Sequence, residues 1–488
     1  MRIHCVGPGS IGSLVCFHLQ RVTPVTFLLR TRQPQHRKNP TTLSIQLEQS
    51  DHQLGITGGI TYQFLGRQQQ EPIDSLLVTT KAHQVTNSIR PIRHRLSRNS
   101  TLVLLHNGLG VLEELVEELF PDPLDRPSFV LATTSHGVHK VASSPQRLLD
   151  DDHNHQGDEH EACHGRFCHS GVGDLRFGVL PNLTVSDALR RLWARHYPKT
   201  ESGVRSSDSD RSSEGSEPLT EHNPILNPAS KLSPNLDDHL PYLSPATHSL
   251  HRTVASLLNP RVCSQLNTRW LPLGELQTSA LIKLAVNASV NPISALLETR
   301  NSSLRGQASF NSISRQVCQE ASAVFAAQLG KPIGPHHPLS AHQLHGVVET
   351  ILTATASNIS SMCADMRSIW ARRIPFRRKL SKLNRRDLIL ANKRSTSLSD
   401  QSQIGRESTE VEESKWVMEE DEEVEKGEIE RSDRTEVDYI NGYICKLGKR
   451  YGIDTRLNEA LCNLVKLKVD SIELGEVLPR LRRINAKM

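Results

Sequence analysis

Short apolar runs punctuate the first third of the chain. They read "RIHCV" at 2–6, "VTFLLR" at 25–30, "SLLVTT" at 75–80, "TLVLLHN" at 101–107 and "FVLATTS" at 129–135. Helical or turn-rich segments separate them, the first being the amphipathic-looking "SIGSLVCFHLQRV" from residue 10. Brief apolar strands alternating with helices predict a mostly parallel, doubly wound sheet. "RFCHSG" and "DLRFGVL", within 166–180, predict two further strands at its far edge. From about residue 265 the pattern turns helical. Apolar positions recur at three-to-four spacing through Leu276–Leu297, Ile313–Leu329, Ala341–Met366, Glu436–Tyr451 and Thr455–Lys468.

The polar stretches between these elements set the domain plan. Residues 143–165 are rich in Asp and His, and 198–245 in Ser, Asp and Pro; 368–433 begin basic and end acidic. Such compositions bury too little apolar area to offset chain entropy, so all three are expected to be disordered or loosely ordered insertions. The expected plan is a nucleotide-binding α/β domain over 1–265 carrying the first two. An all-α domain over 266–488 carries the third. The chain of 488 residues with 36% hydrophobic content suits globular parts plus polar insertions.

The net charge of +5 is small for this length and implies no general affinity for nucleic acid or anionic membranes. The nine Cys are scattered (Cys5, Cys16, Cys163, Cys168, Cys263, Cys318, Cys363, Cys445 and Cys462) and read as reduced thiols of an intracellular protein. No apolar run of about 18 residues stands out, so no membrane span is expected. The chain opens on a strand pattern, so no secretory or transit segment is expected. A cytoplasmic location is the expectation, with a mitochondrial one left open.

Candidate chemistry begins at "CVGPGSIGSLV", where Gly7, Gly9 and Gly12 have G-x-G-x-x-G spacing between a strand and a helix. In that context Gly7 permits the tight turn, Gly9 lets the backbone approach a pyrophosphate, and Gly12 lets helix and strand pack closely. The loop Gly7, Pro8, Gly9, Ser10, Ile11 and Gly12 is the predicted dinucleotide cradle. The second strand ends in Arg30 and Arg32 and offers no acid for a ribose 2′-hydroxyl. A guanidinium fork suits a 2′-phosphate, which favours NADP over NAD. Lys81 and Asn107 follow two later strands, and Thr134, Ser135 and His136 a third. Carboxyl ends of strands are where open α/β sheets bind ligands, so these ends predict one crevice lined with donors.

The helical half has its own polar signal in "LIKLAVNASVNPISALL", 281–297. Lys283, Asn287 and Asn291 fall at intervals of four and share one helix face. An ammonium on an otherwise apolar helix must meet something polar. Two asparagines, poor helix formers, are an unusual choice for a merely wetted face. A cleft holding an oxygen-rich ligand explains the stripe, with Lys283 able to protonate a developing alkoxide. Pro292 should bend the helix and free a carbonyl.

These residues lie within blocks that resemble the ketopantoate reductases (2-dehydropantoate 2-reductases). The blocks are "LLVTTKAHQV", "LLHNGLGVLEEL", "TTSHGV", "HSGVGDLRFG", "KLAVNASVNPISALLETRNSSL", "NISSMCADMR" and "RTEVDYINGYICKLGKRYGI", in the family's order. The resemblance implies a Rossmann-type domain followed by an all-α domain like the C-terminal domain of 6-phosphogluconate dehydrogenase. It implies NADPH-dependent reduction of 2-dehydropantoate to (R)-pantoate in pantothenate synthesis. Lys283 is then the general acid; Asn287, Asn291 and Asn301 bind substrate; and Ser361 meets its carboxylate. Glu436 supports catalysis at the nicotinamide side. Lys81 and Asn107 contact the cofactor, Asn107 also lying near substrate, and Val138 offers backbone to the cofactor. No metal is required when a lysine protonates the alkoxide, and a homodimer is compatible with the family. The departure is spacing: the family joins the "SSMCADMR" and "RTEVDYING" blocks by a few residues, whereas 368–433 intervene here.

Other signals carry less. His153, His155, His160, His164 and His169 with Cys163 and Cys168 fit no recognised zinc spacing. The basic run 372–386 reads as a solvated segment that pairs loosely with the acidic run 412–430. Two alternative functions remain at this level, a reductase of another 2-keto acid and an NADPH-binding pseudoenzyme with partner-binding insertions. Substrate change would alter Asn287, Asn291, Asn301 or Ser361, and loss of activity would remove Lys283 or Glu436; all six are present.

Overall fold

The computed structural model describes residues 1–30, 42–49, 54–65, 70–141, 162–180, 249–371 and 435–474. Arg32, His153, His155, His160, the Cys163 side chain and the bulk of the three insertions, with both charged runs, lie outside the described residues. The chain divides into two compact units, Met1–Ala280 and Leu281–Met488. The division falls inside the helix Leu273–Leu297, where 265/266 was expected.

The first unit is built on one eleven-stranded sheet. Its strands are β1 Ile3–Val6, β2 Val25–Leu29, β3 Thr42–Glu48, β4 Leu54–Phe64, β5 Ser75–Val78, β6 Thr101–Leu105, β7 Ser128–Thr134, β8 Gly137–Lys140, β9 Ala162–Gly171, β10 Leu175–Val179 and β11 Thr268–Trp270. They lie in the order β11-β10-β7-β6-β5-β1-β2-β4-β3-β9-β8. From β7 to β4 all neighbours are parallel. These strands are short and apolar because both faces of a parallel sheet are covered. Every residue of β1, β5 and β6 is buried.

The two strands expected together at the far edge are on opposite flanks. The reason is a bent ribbon. Thr134 pairs with Leu175 and Gly137 with Gly171, so β7–β8 and β10–β9 are successive halves of one antiparallel hairpin. The first half pairs with the main sheet through β6, and the second pairs through β9 with β3. Between the halves, a Cβ at Gly173 would lie 2.5 Å from the Ser135 carbonyl carbon, so only glycine fits the bend. The ribbon thereby carries the sheet past the helix α1, Ser10–Leu19, which lies against β3, β8 and β9 as well as β1. Every residue of α1 from Gly12 to Leu19 is buried. The amphipathic helix expected here is thus apolar nearly all round, as enclosure on several sides demands.

Among the described residues this unit has four more helices before the boundary: α2 Val85–Ile89, α3 Val111–Glu118, α4 Ser249–Leu257 and α5 Pro260–Leu266. The helix α6, Leu273–Leu297, leads into the second unit. There follow α7 Ala308–Leu329, α8 Ala341–Ala354, α9 at 361–371, α10 Asn441–Tyr451 and α11 Arg456–Leu474. The single helix expected over Ala341–Met366 is broken at 355–360. There the backbone carbonyls of Ala356 and Asn358 accept the N–H groups of Ser302 and Asn301 instead. Ser360 restarts the helix by accepting the Cys363 N–H at 3.1 Å. Among the described residues α6 is long and apolar enough by composition to cross a membrane, which revises the expectation that no such stretch exists; 67% of its most apolar window is buried inside the fold.

Candidate functional site

The glycine loop joins β1 to α1, and its three glycines have three different reasons. Gly7 sits at φ +81°, and a Cβ there would lie 2.5 Å from the Thr80 nitrogen. At Gly12 a Cβ would lie 2.4 Å from Thr79 Oγ1 and 2.7 Å from the Gly7 oxygen. Both glycines are therefore required by the protein's own packing. Gly9 is not: its φ is −76° and a Cβ would meet nothing closer than the Gly7 oxygen at 3.9 Å. The space it leaves open is the approach to the backbone at the start of α1. That helix has no side-chain cap at Gly9 and no acid in its first turn, so its leading N–H groups and partial positive charge suit an anion. The loop is held from below and beside. Thr79 Oγ1 donates to the Gly7 carbonyl at 2.7 Å, and Ser13 Oγ donates to the Pro8 carbonyl at 3.2 Å. His164 Nε2, 2.8 Å away, donates to that same carbonyl, its ring set against Phe27 and Phe167. Burial pushes the His164 imidazole below its ordinary value, opposed by the bond to Pro8.

The strand ends beside the loop separate into two kinds. Lys81 and Asn107 directly follow β5 and β6 and are half-buried at neighbouring carboxyl ends. Asn107 is followed by Gly108 and Gly110, both at positive φ, which turn the chain into α3. Arg30 is exposed at the end of β2, on the other side of β1. Thr134, Ser135 and His136 behave differently from the crevice-lining set expected. Thr134 Oγ1 donates to the Asp174 carbonyl at 2.9 Å, and Ser135 Oγ to Asp174 Oδ1 at 2.5 Å. His136 Nδ1 accepts the Gly173 N–H at 2.9 Å, which fixes the tautomer and makes Nε2 the donor to the Leu266 carbonyl at 3.0 Å. These three side chains brace the ribbon bend. Val138, beyond the bend, lies half-buried in β8 opposite His169.

The second unit holds the other predicted residues. Lys283 and Asn287 are half-buried and Asn291 is 6% exposed, all on one stripe of α6. Asn301 is buried, and its Nδ2 donates to Thr355 Oγ1 at 2.8 Å. Thr355 directs its own hydroxyl hydrogen to Ile351, so Nδ2 must face it and the Asn301 Oδ1 faces elsewhere. Among the described residues that oxygen is buried without a partner. The turn Asn301 leans on leads into α9, where Ser361 is exposed in the first turn and Ser360 is the buried cap. Glu436 is 3% exposed, in the 3₁₀ turn Glu436–Tyr439 that precedes α10. The long insertion has therefore not detached this segment from the helical core. Among the described residues no group of three metal-ligating side chains converges.

Two family profiles match the chain. One, described as ketopantoate reductase PanE/ApbA, covers residues 3–182; the other, its C-terminal counterpart, covers 275–371 and 427–469. The chain belongs to the ketopantoate reductase family. The interruption of the second match falls on the insertion. The chain is 32% identical over 150 residues to the 2-dehydropantoate 2-reductase of Saccharomyces cerevisiae, an alignment covering 28% of this chain and 38% of that one. An alignment with a Schizosaccharomyces pombe relative, 26% identical, likewise spans 47% of that protein and 37% of this one. The chain thus spans less than half the length of these two relatives. With the 2-dehydropantoate 2-reductase of Vibrio cholerae the identity is 22%, over 96% of this chain and 97% of that one. Among solved structures, D-mandelate dehydrogenase with NADH and anilino(oxo)acetate superposes at a TM-score of 0.55 and 15% identity, covering 97% of this chain and 99% of that one. At that identity the likeness is one of fold.

Several residues of these elements carry no signal in the sequence. In the sequence His164 stands out only beside possible metal ligands, whereas in the structure it holds the glycine loop. Ser360, overshadowed by its neighbour, is the residue that caps α9. Asn441 and Asn458, both buried, form with half-buried Glu320 a polar chain that no spacing rule signals. The one available clue was Pro292, which announces a free carbonyl without naming its partner.

Proposed function

We propose that the chain is an NADPH-dependent 2-dehydropantoate 2-reductase, reducing the 2-keto group to the (R)-alcohol. The observation that carries the reading is Lys283, half-buried on a helix whose flanking positions Leu284, Ala285, Val286 and Ala288 are buried. The cradle fits a dinucleotide, because Gly9 keeps open a space that packing does not require. Gly7, Pro8, Gly9, Ser10, Ile11 and Gly12 would hold its pyrophosphate, and Arg30 its 2′-phosphate. Lys81, Asn107 and the Val138 backbone are the remaining candidate contacts. When bound, the cofactor supplies the hydride.

The rest of the chemistry belongs to the chain. Negative charge develops on the ketone oxygen as its carbon is reduced, and the Lys283 ammonium stabilises that charge and then transfers a proton to it. Asn287 and Asn291 orient the keto acid along the same stripe. Asn301 offers its buried Oδ1 to the substrate hydroxyl. Ser361 supplies a hydroxyl to the carboxylate, and Glu436 orders the reacting groups at the nicotinamide side. The test is oxidation of NADPH with 2-dehydropantoate, comparing wild type with Lys283→Ala. Turnover by the wild type that collapses in the variant is expected. An inert wild type would sink the reading, and equal rates would sink the role of Lys283.

A further inference from the structure

Pro292 lies inside α6 and has no N–H, so the Ala288 carbonyl, four residues earlier, lacks its intrahelical partner. Asn441, fully buried, supplies the missing donor: its Nδ2 lies 3.1 Å from the Ala288 oxygen. The same amide nitrogen gives its other hydrogen to Asn458 Oδ1 at 3.0 Å. The direction of this chain of bonds is forced. Glu320, as a carboxylate, only accepts; it takes the Leu457 N–H at 2.9 Å, the Asn458 N–H at 3.0 Å and Asn458 Nδ2 at 2.7 Å. Asn458 must therefore turn its oxygen towards Asn441, and Asn441 must answer with nitrogen. Four helices meet through these groups: α6 at Ala288, α7 at Glu320, α10 at Asn441 and α11 at Asn458.

Two facts make this more than a satisfied carbonyl. The Asn441 Oδ1 is buried with no partner, an arrangement that costs stability. What Asn441 contributes at that cost is its two donor bonds, to Ala288 and Asn458. The second fact is what lies at each end of the bond. Ala288 directly follows Asn287 in the polar stripe. Asn441 opens α10 directly behind the turn that carries Glu436.

We propose that Asn441 is a positioning residue, which fixes the Glu436 turn against the Lys283–Asn291 stripe by capping the carbonyl that Pro292 opens. The inference rests on the reductase reading for the roles of Glu436 and Lys283, but the bond itself does not. A purely structural role and a positioning role make different predictions once Pro292→Ala is added. That substitution returns an N–H to the Ala288 carbonyl without restoring the tie to α10.

The experiment compares wild type, Pro292→Ala, Asn441→Ala and the double variant as full chains, with Asn441→Ser as a milder change that keeps one donor hydrogen. Thermal midpoint, kcat and KM with NADPH and 2-dehydropantoate, NADPH affinity, and hydrogen exchange of a peptide spanning 435–440 are measured. Asn441→Ala is expected to lower the thermal midpoint and to reduce kcat by about 10²-fold, the scale of a misplacement near 1 Å. NADPH affinity should not change. In the double variant the midpoint should recover in part while kcat stays low and 435–440 still exchange faster than in Pro292→Ala. Asn441→Ser should move kcat and exchange the same way, by less. Recovery of kcat in step with the midpoint, or unchanged exchange at 435–440 in every Asn441 variant, overturns the inference. A wild type without turnover would instead count against the reductase reading, and the exchange comparison would still decide the positioning role.

Discussion

Substituting the three cradle glycines one at a time separates the protein's own needs from those of a ligand. At Gly12 an added Cβ would sit 2.4 Å from Thr79 Oγ1 and 2.7 Å from the Gly7 oxygen. That is overpacking against backbone, with a destabilisation of about 1–3 kcal/mol. At Gly9 the nearest atom is 3.9 Å away and φ is −76°, both ordinary for alanine. Losing glycine at a helix N-cap costs a few tenths to about 1 kcal/mol. Reduced freedom of the unfolded chain returns about 0.4–1 kcal/mol. The net change in stability at Gly9 should be within about 1 kcal/mol of zero. A methyl there does, however, fill the space through which a pyrophosphate would reach the backbone N–H groups. Loss of one charge-assisted bond is about 1.5–3 kcal/mol, or roughly 10- to 100-fold in dissociation constant. Thermal unfolding and NADPH fluorescence titration on Gly9→Ala and Gly12→Ala give both quantities. Gly9→Ala should keep its midpoint and lose affinity, whereas Gly12→Ala should lose its midpoint first. Wild-type affinity in Gly9→Ala, or an equal fall in midpoint in both variants, would refute the assignment of the open space to a dinucleotide.

Arg30→Ala should weaken NADPH about tenfold and leave NADH unaffected, since only the former carries a 2′-phosphate; an equal loss for both cofactors contradicts that role. Burial, aided by Arg95 and Arg2, holds the His4 imidazole down at about 4, so it is neutral in the folded chain and ordinary in the unfolded one. The stability this contributes is complete above pH 6.5 and is lost as pH falls from 6.5 towards 4, on the order of 3 kcal/mol. Denaturant midpoints over that range should fall less steeply in His4→Gln, and parallel slopes would sink the assignment. Replacing 372–434 by a short Gly/Ser linker should preserve turnover, because closure entropy changes by only about 0.6 kcal/mol per doubling of loop length; abolished activity in a folded variant would show that the segment contributes to the site.

The strands adjoining the cradle were legible because burial on both faces writes a local signal. "RIHCV", "SLLVTT" and "TLVLLHN" each became a parallel strand within two residues of the expected ends. What the local pattern could not show was the route of the ribbon through 128–179. Its two halves look alike in sequence, and only Gly173, which lets the chain pass beside Ser135, marks where it leaves the main sheet. The same limit applies to the polar residues. Helical periodicity was enough to put Lys283, Asn287 and Asn291 on one stripe. It could not say that Thr134, Ser135 and His136 are engaged by Asp174, Gly173 and Leu266, because those partners lie 37 or more residues away, in "HSGVGDLRFG" and beyond.

Long-range bonds of this sort also explain how the helical core tolerates the segment that interrupts the family match. The chain enters the interruption from α9, which Ser360 caps and whose Arg367 donates to the Glu298 carbonyl at 3.0 Å. It leaves it into a turn fastened by Lys466 to Asp438 at 2.5 Å and into Asn441, fastened to Ala288. Each flank is thus held by partners distant in sequence, independently of the residues that join them. Contacts among the helices hold both flanks, and Glu436 stays buried beyond the interruption, so the connection has only to be long enough.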